Sequence, residues 1–443
     1  MKRLQVPSWI TTLAVALLAF FGVWYAKQGG HISVYWYQVV QLAAITAISA
    51  LGLNLIYGFN GQFSLGHIGF YAIGAYGSAL ITKDYVTKWS GSQTGALAWM
   101  LAGQIGLVFA LVLINKLGLP VVKKRISSSL SEHLAPHEAN TLGTLAVLLI
   151  SAASLAASVA VALGLHALLA PALETIISSL PEGASRPLIF ALALINGGSI
   201  AALVSYLVGL ALLRLGSDYF GIATLGFAVM VYTALQNSDL VIETMKGARG
   251  MVGIPPWSTW PWVAGGLVLL AIVMRNMLRS SHGRAMISVR EDEIASQSMG
   301  VDVTQLKNLA FTMGGFYAGV AGALYAHLYG FLHPSSFSMI KGFDPLIIIV
   351  FGGLGSMTGT ILASVMFALV IEGLRVILPQ GFEDWRFVIY PIILLLIMLL
   401  RPSGLLGTSE WGWLRAPLPP ERDIPVPNRS LRGSAVSASS EEE

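Results

Sequence analysis

The sequence predicts an all-α, polytopic transmembrane helical bundle, and three observations carry that reading. Hydrophobic residues make up 55% of the 443 positions and charged residues only 11%, against roughly 25% charged in an ordinary soluble domain. Mean hydropathy is +0.72. The apolar residues come in long unbroken runs, not in the alternating segments of about ten residues that an outer-membrane barrel shows. A soluble globular enzyme, a disordered chain and a nucleic-acid-binding module are thereby excluded. With no cysteine in the chain, disulfides, thiolate zinc sites, iron–sulfur clusters and cysteine nucleophiles are excluded too. The net charge of +4 then reads as basic residues gathered on cytoplasmic loops.

A hydrocarbon core about 30 Å thick needs about 20 apolar helical residues. By that length, runs lie at 9–26, 35–57, 64–82, 96–119, 142–169, 188–213, 219–235, 262–277 and 309–330. Three more follow at 345–353, 361–378 and 387–400, and ten of the twelve are expected to cross. The run at 345–353 is too short alone and is expected to belong to a broken or re-entrant helix. The first run is long for a signal-peptide core, and no clear small-residue cleavage site follows it. With Met1 inside and twelve crossings, 17 of the 26 Lys and Arg fall on the cytoplasmic side and 8 outside, Arg375 lying within a span. That asymmetry follows the positive-inside rule and puts both termini in the cytoplasm.

Four hydrophilic stretches interrupt the spans. Residues 127–140 form a Ser-rich cytoplasmic loop and 238–260 a long external loop rich in Gly and Pro. The external tryptophans Trp257, Trp260 and Trp262 are expected to anchor at the membrane interface. Residues 408–443 form a cytoplasmic tail expected to be disordered, after a transmembrane domain at 1–407. The most charged internal segment, 279–307, carries helix formers from Gly283 to Gly300, with Glu291, Asp292 and Glu293 near the middle and Gly300 placed as a C-cap. It is expected to be a short helix outside the bilayer, either an exposed connector or a docking surface.

Several motifs have a physical reading of their own. Gly315-Phe316-Tyr317-Ala318-Gly319 and Gly355-Ser356-Met357-Thr358-Gly359 are small-xxx-small patterns that allow close helix approach in lipid. The Gly352–Gly355 cluster lacks the spacing and the Lys of a phosphate loop, and no P-loop occurs elsewhere. Glycines and the polar residues Asn60, Gln62, Ser64 and His67 separate two apolar runs. They read equally as a broken helix beside a pathway or as a solvated, capped turn. Glu372 and Arg375 are three apart on one helix face and are expected to pair. His31, His67, His166, His282 and His327 fall on different runs with no metal-ligand spacing, so no metal site is expected, nor a lipid-acting enzyme.

At the loop segment the chain resembles a family. The order Glu293-Ile294-Ala295 and then Gly300, in a cytoplasmic loop between late spans, looks like the coupling motif of ABC-importer permeases. More closely, the chain resembles the Liv-type permeases of bacterial branched-chain amino-acid importers. The likeness is carried by Gly52-Leu53-Asn54-Leu55-Ile56-Tyr57-Gly58, Gly61-Gln62-Phe63-Ser64-Leu65-Gly66-His67 and Gly74-Ala75-Tyr76. It continues in Asp218-Tyr219-Phe220-Gly221-Ile222-Ala223-Thr224-Leu225-Gly226-Phe227, in Gly283-Arg284-Ala285, and in Arg290 through Ala310-Phe311. Phe351-Gly352-Gly353-Leu354-Gly355-Ser356 and Arg401-Pro402-Ser403-Gly404-Leu405-Leu406 complete it.

The chain departs from the pattern in two places. Residues 93–187 carry none of these motifs and would add two spans. The external loop reads Met245-Lys246-Gly247-Ala248-Arg249-Gly250-Met251-Val252-Gly253-Ile254-Pro255, with Lys246 where the family pattern has Gly.

The resemblance implies half of an importer pore in the bacterial inner membrane. It implies a homologous second permease, two ABC ATPase subunits that hold ATP and Mg, and an extracytoplasmic solute-binding protein. This chain then has no cofactor, no catalytic residue and no nucleic-acid partner. ATPase coupling is assigned to Arg290, Glu291, Asp292, Glu293, Ile294, Ala295 and Gly300. The pathway candidates are Asn54, Asn60, Gln62, Ser64, His67, Tyr71 and Thr224. The implied cargo is a branched-chain or other neutral amino acid. Urea and short amides, or a stand-alone secondary transporter, are the alternatives.

Overall fold

The computed structural model describes residues 8–117, 136–213, 215 and 217–377, and beyond them 389, 392, 396, 399, 401, 403–407, 409–411 and 414. Helices account for nearly all of it. They are α1 (Ser8–Gln28), α2 (Val34–Leu53), α3 (His67–Thr87), α4 (Gly95–Leu117), α5 (Pro136–Ser179), α6 (Glu182–Leu212), α7 (Ser217–Gln236) and α8 (Trp260–Arg279). After these come α9 (Ser281–Glu291), α10 (Glu293–Ser298), α11 (Val303–Tyr329), α12 (Met339–Gly352) and α13 (Met357–Ile377). Among the described residues, a single two-residue pairing, β1 (Met251–Val252) antiparallel to β2 (Phe331–Leu332), joins two loops.

Eight of these helices are long and apolar enough to cross a membrane, among the described residues, rather than the expected ten. One of them is the π-extended α2, Val34–Phe59. α3, though 21 residues long, is not among the eight. Its glycines and tyrosines, with Lys83 and a buried Asp84, make it less apolar, and most of its side chains are buried in protein. The run at 345–353 does belong to a short helix, the 14-residue α12. At 1.5 Å per residue it covers about 21 Å, less than the hydrocarbon thickness. Pro136–Asn140, expected in a loop, opens α5, which runs on past Pro171 to Ser179. The rest of that loop, most of the 387–400 run and most of the tail lie outside the described residues.

Three helices meet at the centre. α11 packs on α3 and α6, which also pack on each other, and α2 lies along α11 with α8 and α13 beyond it. Lipid gives helices no hydrophobic reason to associate, so close van der Waals approach must supply it. Glycines provide that approach. A Cβ on Gly319 would come 2.6 Å from the Ala201 Cβ and the Gly197 carbonyl, and one on Gly315 2.6 Å from the Ser205 Cβ. On the α3 side, a Cβ on Gly197 would sit 2.8 Å from the Gly74 carbonyl, and one on Gly322 2.9 Å from the Tyr71 carbonyl carbon. Hydrogen bonds then pin the register. Thr82 Oγ1 lies 2.7 Å from His327 Nε2, and the Tyr317 hydroxyl donates to the Leu270 carbonyl at 2.7 Å.

α2 is tied to α13 at both ends. At one end Tyr35 donates to Glu372 Oε2 at 2.5 Å, and Arg375 lies 3.6 Å from the same oxygen, so the expected pair forms with a third member. At the other end Asn54 donates to the Ser356 carbonyl at 2.9 Å and Thr360 Oγ1 at 2.8 Å, and accepts from Gly355 N at 3.0 Å. The first residues of α13 are capped from downstream. Glu410 accepts from Met357 N at 2.5 Å, Thr358 N at 3.1 Å and Thr358 Oγ1 at 2.6 Å. Just before it in the chain, Leu405 N donates to the Phe351 carbonyl at 2.8 Å. Part of the stretch expected to be tail is thus bound to the fold. Residues 409–411 are bonded to the start of α13, and Leu414 packs against the core. The reason is that Glu410 supplies acceptors that the first amides of α13 need.

Three outcomes test this frame. Gly319→Leu should cost more than about 3 kcal/mol, because the side chain would meet backbone on α6, whereas Gly265→Ala, with open space around it, should change stability by less than about 1 kcal/mol. Asn54→Ala should cost about 2 to 4 kcal/mol through the buried groups it leaves unpaired. Thermal unfolding in detergent reads both. Burial raises the Glu410 carboxyl above its ordinary 4.5, outweighing the bonds from Thr358 and Met357 that lower it. The fold then binds more protons than the unfolded chain, so stability falls as pH rises from 4.5 through the raised value. Glu410→Gln should flatten that slope in melts taken across the range.

Candidate functional site

The site begins where α2 loses its regular winding. Asn54–Phe59 is a π-turn, closed by Gly61 N donating to the Tyr57 carbonyl and Gln62 N to the Ile56 carbonyl, both at 3.0 Å. The chain then runs through Gly61, at φ +75, to the start of α3 at His67. This is a broken helix with buried polar groups rather than a solvated turn: Asn60, Gln62, Ser64 and His67 are each 5% exposed or less. π-turns inside helices cluster at functional sites, which makes the local geometry informative.

The pathway candidates separate into two groups. Among the described residues, Asn60 and Gln62 find no side-chain hydrogen-bond partner, nor do Ser64 Oγ and His67 Nδ1. Such buried groups are costly unless something pairs them. His67 is half satisfied, its Nε2 lying 2.8 Å from the Ser49 carbonyl. The second group is occupied by the fold. Asn54 is consumed by the clamp on α13, and Thr224 accepts from Leu65 N at 3.0 Å while donating to the Gly221 carbonyl at 2.9 Å. Tyr71, one turn into α3, packs against Tyr325 and Phe337 at tilted angles with ring centroids 5.7 and 6.0 Å away.

The charged loop lies beside this break. Sequence pattern predicts one helix from Gly283 to Gly300, but the structure divides it at Asp292, whose backbone is extended. Asp292 accepts from Ala295 N at 2.9 Å, so its side chain ends α9 and caps α10 in one step. Gly300 follows at φ +82, where a glycine is needed. Met286 and Val289 bury the inner face of α9, while Ile294 is 79% and Met299 85% exposed. Glu293 pairs with Lys307 at 2.6 Å, tying α10 to α11. Between loop and break lies a cavity of about 230 Å³ lined by Gln62, Phe63, Phe220, Val289, Arg290 and Lys307, among others.

At the opposite end of α3 the glycine-rich loop folds back. Lys246, Gly247, Gly250 and Gly253 all have positive φ. The three tryptophans of this loop also pack on the bundle. Trp260 is 7% exposed and donates to the Phe20 carbonyl, Trp262 meets Phe190 edge-on, and Trp257 meets Tyr85 in the same way. Two residues were missed from sequence: Tyr35 and Glu410 close contacts with partners far along the chain, and no spacing rule signals them.

The family model described as branched-chain amino acid transport system / permease component matches residues 36–130 and 141–399. Much of the 93–187 stretch that sequence motifs left apart lies inside that match. The high-affinity branched-chain amino acid transport system permease protein LivM of Salmonella typhimurium is 33% identical over 247 residues, 48% of this chain and 56% of LivM. LivM of Escherichia coli is 32% identical over the same length and shares. LivH of Escherichia coli is 27% identical over 150 residues, 34% of this chain and 47% of LivH. The chain thus spans little more than half the length of the LivM relatives it matches. No solved structure matches. A family match over most of the chain, on a helical membrane bundle, places this protein in the branched-chain amino acid transport system permease family.

Proposed function

We propose that the chain is one half of the pathway of an ABC importer in the bacterial inner membrane, with both termini in the cytoplasm. The observation that carries this is the exposed loop of α9 and α10 set directly against the broken, polar end of α2. A partner pressing on Ile294 and Met299 would move a helix pair that abuts the buried groups of the pathway. ATP and Mg belong on two separate ATPase subunits, because this chain has no phosphate loop. A second, homologous permease would complete the pore, as the names LivM and LivH suggest for the relatives, and an extracytoplasmic binding protein would deliver the solute.

The relatives' names also support a branched-chain or neutral amino acid as cargo. The unpaired amides of Asn60 and Gln62 suit a small polar solute, which a urea or short-amide importer would share. A stand-alone secondary transporter would need a free acid in the membrane for its coupling ion. Glu372 is instead engaged by Tyr35 and Arg375, which favours a structural role for it.

Purification of the tagged chain from its native membrane tests the reading. Two P-loop ATPases and a second permease should come with it, and a chain recovered alone would favour the secondary transporter. Ile294→Asp should weaken ATPase recovery about thirtyfold, the effect of losing one central apolar contact worth about 2 kcal/mol. Unchanged recovery would move the docking surface elsewhere.

A further inference from the structure

One side chain joins the charged loop to the broken helix. Arg290 stands in the last turn of α9, and its Nη1 donates to the Gly58 carbonyl inside the π-turn. Glycines make its seat. A Cβ on Gly61 would lie 3.4 Å from the Arg290 Cα and Cγ, and one on Gly355 would lie 2.7 Å from Nη1. A Cβ on Gly58 would press to 2.6 Å from Gly355 N. Gly61 and Gly355 also have φ of +75 and +83, so glycine is required there on backbone grounds too. The same turn is tied by Asn54 to Gly355, Ser356 and Thr360. Arg290 therefore touches the end of α2 and the turn before α13 together.

We propose that Arg290 is a positioning residue. It turns inward from the docking loop and carries the loop's displacement into α2 and the α12–α13 turn, instead of contacting a partner. The proposal rests on the coupling reading above. The ion pair that ties the loop to the bundle elsewhere, Glu293 with Lys307, leads only to α11. The buried Met286 and Val289 are non-directional apolar contacts. A guanidinium fixed on a backbone carbonyl gives a directional link, and a single ammonium in its place would keep only part of it.

The test compares the wild-type chain with Arg290→Ala and Arg290→Lys. Hydrogen exchange of the purified full chain should rise roughly tenfold at Gly61 and Gln62, whose amides close the π-turn, in Arg290→Ala. In the reconstituted complex the ATPase subunits should still be recovered, while solute moved per ATP hydrolysed falls roughly tenfold, the scale of one lost coupling contact. Arg290→Lys should recover part of both. Loss of the ATPase subunits in Arg290→Ala would make Arg290 a docking contact and overturn the proposal, as would unchanged exchange in the π-turn or an unchanged transport ratio. A wild-type chain that recovers no ATPase would refute the coupling reading and this proposal's transport role, while the exchange result would still decide whether Arg290 holds the turn.

Discussion

Three backbones meet at the centre of this bundle with almost no side chain between them. Gly74 of α3, Gly197 of α6, and Gly319 and Gly322 of α11 form one contact in which main chain meets main chain, flanked by Gly198, which faces the Phe316 and Val320 side chains, and Gly315, which faces Ser205. In a bilayer that closeness is what makes association favourable, because dispersion and polar contacts must replace a hydrophobic drive that lipid removes. It also sets the positions of everything else. The end of α3 that leaves His67 beside Ser49, and the start of α11 that receives the charged loop, are held by the same three-helix contact.

Around that rigid centre, α2 behaves as a bar pinned at two points. Tyr35 with Glu372 and Arg375 fixes one end, and Asn54 with Gly355, Ser356 and Thr360 fixes the other. Between its second pin and α3 the chain breaks into a π-turn. The consequence is that buried, unpaired polar groups gather just outside a firmly held segment, where rearrangement does not require the core to come apart. Packed interfaces tend to switch between discrete arrangements rather than deform gradually. A break bounded by fixed points suits such a switch.

How much of this was legible in the sequence depended on whether the signal was local. The helices were, because each carries its own apolar run, and so were the glycine patterns and the charged loop. The polar break at Asn60 to His67 was visible as a place, but its burial was not, since burial depends on α7 and α9 arriving from elsewhere. For the same reason the bonds of Asn54 and Thr224 were not legible: a polar residue in an apolar run shows its presence but not its partner. Asp292 was read as one of an acidic trio in a single helix. Its capping bond to Ala295 shows that a short polar side chain competes with the helix it sits in. Glu410 fell in a segment that composition marks as loose, and only the unsatisfied amides of α13, more than fifty residues away, give it a place.

The glycine-rich loop at the other end shows what a substitution there can and cannot change. Lys246 stands where the resemblance has Gly, yet it keeps φ at +62, a conformation that costs a residue with a Cβ about 1 to 2 kcal/mol. The path is held by backbone bonds just downstream of it. β1 pairs with β2, Ile254 N donates to the Gly330 carbonyl, and Ser258 N donates to the His327 carbonyl. The loop's shape is therefore fixed by its frame, and the new residue changes its charge. Lys83 reaches the same loop through the Thr244 carbonyl at 3.3 Å, and exposed Arg249 lies in it, so Lys246, paired with Glu243 at 3.4 Å, joins a surface that already carries cations. The charge that Lys246 brings is thus carried on a loop whose backbone path is tied to the end of α11 through Gly330 and His327.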